Sequence, residues 1–272
     1  MPSKKPKDAV FWAGADVSQI QLFLSGGLAI LVYVSLVWVI SLAKKDAGIM
    51  DIFWGPGFIL AAYTYLMVNP ETTLQVSLLF GLILLWGIRL ALHIGLRNAG
   101  MPEDARYANW RQQFGTRWWW YSYLRVFILQ GAVMWIVSLP LLTGLQDQSD
   151  LHVVDYVGLL LFLAGFLFES IGDWQLRQFK KDSKNRGKVM NTGLWGLTRH
   201  PNYFGEAVLW WGLTLIAIEI STLWILISPL IMTWLLIKVS GVKMLDELLI
   251  KTKPDYAEYI RTTNAFIPGG QR

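Results

Sequence analysis

Residues 193–206 read Gly-Leu-Trp-Gly-Leu-Thr-Arg-His-Pro-Asn-Tyr-Phe-Gly-Glu, a run whose types and spacing describe an anion site at a helix start. Pro201 drives His200 out of the α region and itself suits the first helical turn. The unpaired N–H groups of that turn, beside Arg199 and His200, suit a phosphate. Gly205 permits close approach of backbone or ligand, and Glu206, one turn in, could accept from a ribose hydroxyl or an amide. The plainer alternative is an interfacial helix start with a snorkelling arginine. Two triplets repeat at intervals of four: Arg89, His93 and Arg97, then Glu169, Asp173 and Arg177. Each forms one stripe on one helix face. Opposite stripes could simply neutralise each other. Their spread over four helices, with Asp51 and the 199–206 run, points instead to a lined cavity. From Arg177 to Lys188 six basic residues face one acidic residue, a pattern that serves either membrane topology or phosphate steering. The absence of cysteine excludes thiol nucleophiles, iron–sulfur clusters and Cys-ligated zinc, and with 3 His in the chain no metal site is expected.

These groups need elements to hold them. Of 272 residues, 54% are hydrophobic and 16% charged, with a mean hydropathy of +0.41; soluble domains carry about 25% charge. The apolar residues fall in long runs, which predicts an all-α polytopic membrane protein. Seven spans are expected, at about 21–43, 51–69, 74–95, 123–143, 153–175, 202–219 and 223–241. They form a single helical membrane domain, 21–272, after a tail, 1–20, with the chemistry concentrated at about 165–268. Residues 1–20 hold no apolar run suited to a cleavable signal peptide. Asn69-Pro70 ends the second span, a tight turn near Ser221-Thr222 joins the last two, and Trp118-Trp119-Trp120-Tyr121 forms an interfacial belt before the fourth. Residues 243–262 read as an amphipathic helix anchored by Leu245, Leu248, Leu249 and Ile260. With seven spans, 18 of the 24 Lys and Arg lie on one side, which puts the C-terminus in the cytoplasm and the N-terminus outside. The net charge of +5 is then a matter of topology, and no nucleic-acid partner is expected. Almost every intramembrane polar group lies in the cytoplasmic half. Glu219 is the exception, and the outer half looks sealed, which disfavours a channel or transporter. Oligomeric state is not legible.

The run Thr198-Arg-His-Pro-Asn-Tyr-Phe-Gly-Glu206, preceded by Gly193-Leu-Trp195, strongly resembles the C-terminal signature of the steroid 5α-reductase-like membrane proteins. The likeness is greatest to their bacterial branch. Asp51-Ile-Phe-Trp-Gly-Pro56, Glu169-Ser-Ile-Gly-Asp-Trp-Gln-Leu-Arg-Gln178, Tyr256-Ala-Glu-Tyr259 and Phe266-Ile-Pro268 add to it. The resemblance is clearest over about 165–268. Sterol reductases are larger relatives. Isoprenylcysteine carboxyl methyltransferases and phospholipid methyltransferases share the Arg-His-Pro feature more distantly.

That resemblance implies a seven-helix bundle, set in a bacterial inner membrane, holding NADPH in a cavity open to the cytoplasm. There it would reduce a C=C bond conjugated to a carbonyl in a hydrophobic, steroid- or lipid-like substrate drawn from the membrane lipids. Carried over, Asp173, Arg177 and Lys180 match contacts to the adenosine and phosphates. Asn202, Tyr203 and Glu206 match contacts near the nicotinamide, with Arg199, His200 and Tyr256 completing the cofactor set. Glu169 stands where the reductases have Asn. Two positions depart from the pattern. The reductases' Gln-Glu pair in the second helix is replaced by Phe53-Trp54-Gly55-Pro56, and the Tyr four residues after Arg89 is replaced by His93. Charge developing on the substrate carbonyl needs a donor, for which His93, Asp51 and Tyr107 are the candidates. Trp54 and Arg89 are assigned to the substrate. Two other functions compete: an S-adenosylmethionine-dependent lipid methyltransferase, and a lipid-binding protein that retains only the cofactor pocket.

Overall fold

A computed structural model describes residues 18–68, 73–147, 150–239 and 241–270. Most of the expected tail and the Asn69-Pro70 turn lie outside them. Among the described residues the regular structure is all helical. Helix α1 is Gln19–Lys44, opened by a capping box between Ser18 and Gln21 that satisfies two of its orphan donors reciprocally. A single turn, Ile49–Ile52, leads into α2, Trp54–Val68. Helix α3 is Leu74–Asn98, capped by Thr73 on the Val76 amide. Helix α4, Ala105–Phe114, precedes a composite helix: Trp118–Ser122, a π-helical stretch Tyr123–Ile128, and α5, Leu129–Val137. Helix α6, Leu139–Gly144, follows the break at Ser138. Helix α7 is Val153–Lys181 and α8 is Pro201–Ile216. A 3-10 stretch, Ile220–Leu226, leads through α9, Ile227–Trp234, into a second π-helical stretch, Leu235–Val239. Helices α10, Val242–Thr252, and α11, Tyr256–Thr262, close the chain.

Among the described residues, five helical stretches are long and apolar enough to cross a membrane: Gln19–Lys44, Leu74–Asn98, Ala105–Val137, Val153–Lys181 and Ile220–Thr252. Their outward faces keep apolar side chains exposed, Leu28 at 62%, Leu92 at 60% and Leu160 at 67%, as a lipid-facing helix requires. The expected second and sixth spans are shorter, 15 and 16 residues, where a perpendicular crossing takes about 20. The causes are local. The chain breaks at Phe53 before α2, and Pro201 sets the start of α8. The expected helix over 243–262 is two helices, because Pro254 cannot continue the first and disfavours helix at Lys253. Its buried residues are Tyr256 and Tyr259, whereas Leu248 is exposed.

Helices α7 and α8 touch backbone to backbone. Glycine recurs at 158, 165 and 172 on one and at 205 and 212 on the other. A Cβ at Gly165 would lie 2.5 Å from the Gly205 carbonyl oxygen, and one at Gly205 2.4 Å from the Glu169 nitrogen. This is small-residue packing of the kind that lets membrane helices associate without a hydrophobic driving force. It also sets the carboxylates of α7 against the first turn of α8. Across the bundle, Phe58 of α2, Trp86 of α3 and Trp210 of α8 are fully buried and meet edge-on or tilted, with centroids 4.7–5.6 Å apart.

Gly165→Ala must part α7 from α8 and is expected to destabilise by about 1–3 kcal/mol. At Gly81, where an added methyl meets nothing within 4 Å, Ala should be neutral or slightly stabilising. Thermal unfolding of the two variants in detergent checks the contrast.

Candidate functional site

The expected site residues fall into three clusters at one end of the bundle. The first lies between α3, α7 and α8. Arg89 reaches from α3 to both Glu169 and Asp173 of α7, one guanidinium nitrogen to each carboxylate. His93, one turn beyond Arg89, places Nε2 3.5 Å from Asp173, and the Asn202 amide donates to the other oxygen of Asp173 at 3.2 Å. Glu169 and Asp173 are 2% and 7% exposed. The four-residue spacing read from the sequence therefore does bring the two stripes face to face, and they do pair. Arg97, Arg177 and Lys180 stay exposed around the cluster; the charges of Arg97 and Arg177 act on His93, and that of Asp173 acts on Lys180. Glu206 is half-buried, one turn after Asn202 on the same face.

The second cluster joins the start of α2 to α4. Asp51 accepts from the Tyr107 hydroxyl at 3.1 Å and from Arg106 at 3.2 Å. The Gln130 amide of α5 donates to the Tyr107 oxygen at 3.4 Å. Asp51 and Tyr107 are thus each other's partners: the carboxyl receives a proton's bond rather than offering one. Trp54, assigned to substrate, packs on Phe58 at 5.4 Å, beside the buried aromatic trio.

The third cluster gathers Arg199, His200 and Tyr256, but around Asp246 of α10 rather than around an open anion site. Arg199 donates to Asp246 at 2.7 Å and to the Thr263 carbonyl at 2.6 Å. His200 Nε2 lies 3.1 Å from Asp246, and the Tyr256 hydroxyl donates to it at 2.6 Å. The Arg199 amide bonds the Asn264 carbonyl at 2.9 Å, and the Thr198 hydroxyl donates to the Phe266 carbonyl at 2.9 Å. The Arg-His-Pro segment is therefore a clamp on the C-terminal helices. Tyr203 stacks on His200 at 5.5 Å and faces from the clamp toward the first cluster. Sequence reasoning missed Asp246, Arg106 and Gln130. A signal for Asp246 existed: it adjoins Leu245 and lies three residues before Leu249, on the apolar side of its helix, where an acid needs a partner.

Burial, and then the bond to Asp246, push the Tyr256 hydroxyl well above the ordinary phenol value. A group whose folded-state value is raised contributes stability that is complete below its unfolded value and is lost as pH climbs toward the folded one. The clamp is thus expected to hold below pH about 10 and to loosen above it, and Tyr256→Phe should flatten that alkaline limb. Arg199→Ala removes the guanidinium from half-buried Asp246, which keeps His200 and Tyr256, and should cost about 1.5–3 kcal/mol, whereas Arg261→Ala breaks only an exposed pair with Glu258 and should change stability little. Hydrogen exchange over residues 242–267 distinguishes the two.

Among known proteins, the model of the family described as "Protein of unknown function (DUF1295)" matches residues 37–263. An uncharacterised protein of the fission yeast Schizosaccharomyces pombe is 24% identical over 218 residues, 69% of this chain and 62% of its own length. The chain therefore spans under two thirds of that relative. No solved structure matches.

Proposed function

The chain belongs to this family of unknown function, and we propose that it is a multi-pass membrane enzyme that uses NADPH to reduce a carbonyl-conjugated C=C bond in a hydrophobic, steroid- or lipid-like substrate. The observation that carries this reading is the first cluster: a buried polar site at the junction of three helices, ringed by Arg97, Arg177 and Lys180. Its donor set fits the cofactor. The three exposed cations suit phosphates, and half-buried Asn202, Tyr203 and Glu206 suit amide and hydroxyl groups. Arg199, His200 and Tyr256, engaged on Asp246, hold the helix start and the C-terminal segment in place around the site.

In this reading seven spans cross the bilayer, the two short helices α2 and α8 meeting protein on their inner faces. The polar end faces the cytoplasm of a bacterial inner membrane. The bound nicotinamide would supply a hydride. Arg89 and His93 order the carboxylates of the first cluster, and the buried Phe58–Trp86–Trp210 core would exclude water from the bundle interior. His93 is the donor of choice for the substrate carbonyl, since Asp51 and Tyr107 already bond each other. The departed second-helix pair leaves a steroid less suited than another apolar enone.

One observation favours S-adenosylmethionine instead. Glu169, Asp173 and Glu206 are three carboxylates set against a single arginine, a balance that suits a sulfonium better than a pyrophosphate. Titration of the detergent-purified protein, read by tryptophan fluorescence, decides between them. NADPH is expected to bind, and Arg177→Ala or Lys180→Ala to weaken it about tenfold, each removing roughly 1.5 kcal/mol of charge-assisted bonding. Binding of S-adenosylmethionine without NADPH refutes the reductase.

A further inference from the structure

Within the first cluster the charges do not balance. Glu169 and Asp173 share Arg89. Glu206 forms no hydrogen bond or ion pair among the described residues, although it lies within electrostatic reach of Arg89 and Asp173 and acts on Glu169. The groups acting on it are Arg89 from α3, Glu169 and Asp173 from α7, and Tyr203 from its own helix, with His93 beyond Asp173. Two nearby acceptors are orphaned: Glu169 Oε2 and Asn202 Oδ1 are shut from solvent and receive no hydrogen bond. Glu169 is 98% buried by its 2% exposure, so an unmatched oxygen there is costly. Both orphans border Glu206. Asn202 is one turn before it, and a Cβ on its neighbour Gly205 would lie 2.9 Å from the Glu169 Cβ.

What the orphans lack is a donor, and what the cluster lacks is positive charge. A proton supplies both, and it is the one cation that needs no room beside atoms already closed off. Among the described residues no group of three or more His, Cys, Asp or Glu is arranged to hold a metal ion. Arg89 bonds both Glu169 and Asp173 and makes no bond to Glu206, which leaves Glu206 to carry the proton. Its half-buried position leaves it an open edge toward a bound molecule. We propose that Glu206 is a neutral carboxylic acid at physiological pH and is the proton source of the reaction.

This second part rests on the reductase reading. There NADPH, oxidised to NADP+, would supply a hydride to the alkene β-carbon, and the π electrons would pass to the carbonyl oxygen as an enolate. The Glu206 O–H then breaks, its proton forms the new C–H bond at the α-carbon, and Glu206 is left as a carboxylate to be reprotonated from water. His93, whose Nε2 lies 3.5 Å from Asp173, would steady the enolate oxygen.

Infrared difference spectroscopy of the full chain in detergent tests the held proton with neither cofactor nor substrate present, so its outcome is separate from that of the cofactor titration. At neutral pH the carbonyl stretch of a protonated acid is expected. It should shift in D2O, shift when the unaltered chain is grown with carbon-13 Glu but not carbon-13 Asp, and vanish in Glu206→Gln while persisting in Asp51→Asn. If Glu206→Gln does not fold, Glu206→Asp keeps the test valid, because its band should then follow carbon-13 Asp and no longer carbon-13 Glu. Absence of the band at neutral pH, a shift of the unaltered chain's band with labelled Asp instead, or survival of the band in folded Glu206→Gln overturns the proposal.

Discussion

The buried bridge from Arg89 to Glu169 and Asp173 is the constraint around which the polar end of this bundle is built. Charges removed from water cost several kcal/mol each unless they are paired in good geometry, and in a bilayer they have no solvent to retreat to. One guanidinium with two forks meeting two carboxylates a turn apart is an arrangement that Lys could not reproduce. It requires α3 and α7 to lie side by side, and it requires the two carboxylates to be presented on one face. The same carboxylates then fix the start of α8 through Asn202. Register among three helices is thus set at a polar point, where apolar packing alone would tolerate sliding.

The bridge in turn depends on the glycine seam. Gly165, Glu169 and Gly172 share one face of α7, so the carboxylates reach α3 from a helix that presses close on α8 and has no space for larger side chains between the two. Gly165 and Gly205 remove them. A second dependence runs through Arg199. By holding Asp246 and the carbonyls of residues 260, 263 and 264, the clamp fixes the loop from which α8 emerges. Bridge, seam and clamp each act on the first two turns of α8, and that is where Asn202, Tyr203 and Glu206 are carried.

Features governed by local chemistry were legible in the sequence. The apolar runs specified long helices, Pro201 specified the start of α8, and the four-residue charge spacing specified stripes that do pair across α3 and α7. What escaped depends on long-range partners. Arg199 and His200 have the chemistry of an anion site, and nothing near them in sequence reveals that Asp246, more than forty residues on, occupies them. Asp51 and Tyr107 each read as a free donor because neither sequence neighbourhood shows the other. The two short helices were read too long because hydropathy continues across Phe53 and Ala217, where the backbone turns. Composition registers polarity along the chain, not its direction in space.

The placement of the polar residues also bears on how such a site evolves chemistry. Its structural charges, Arg89 with Glu169 and Asp173 and Arg199 with Asp246, are engaged with one another and hold geometry. What remains uncommitted is small: exposed Arg97, Arg177 and Lys180 at the rim, and half-buried Glu206 within. A polar network with one carboxyl left out of its ion pairs concentrates its electrostatic imbalance there. Changing that member alters the charge of the site with little structural penalty, whereas removing a member of the bridge leaves an unpaired charge in a low-dielectric interior. Different chemistries can therefore share one scaffold by varying the residue at the position of Glu206 and the cations at the rim, with bridge, seam and clamp retained.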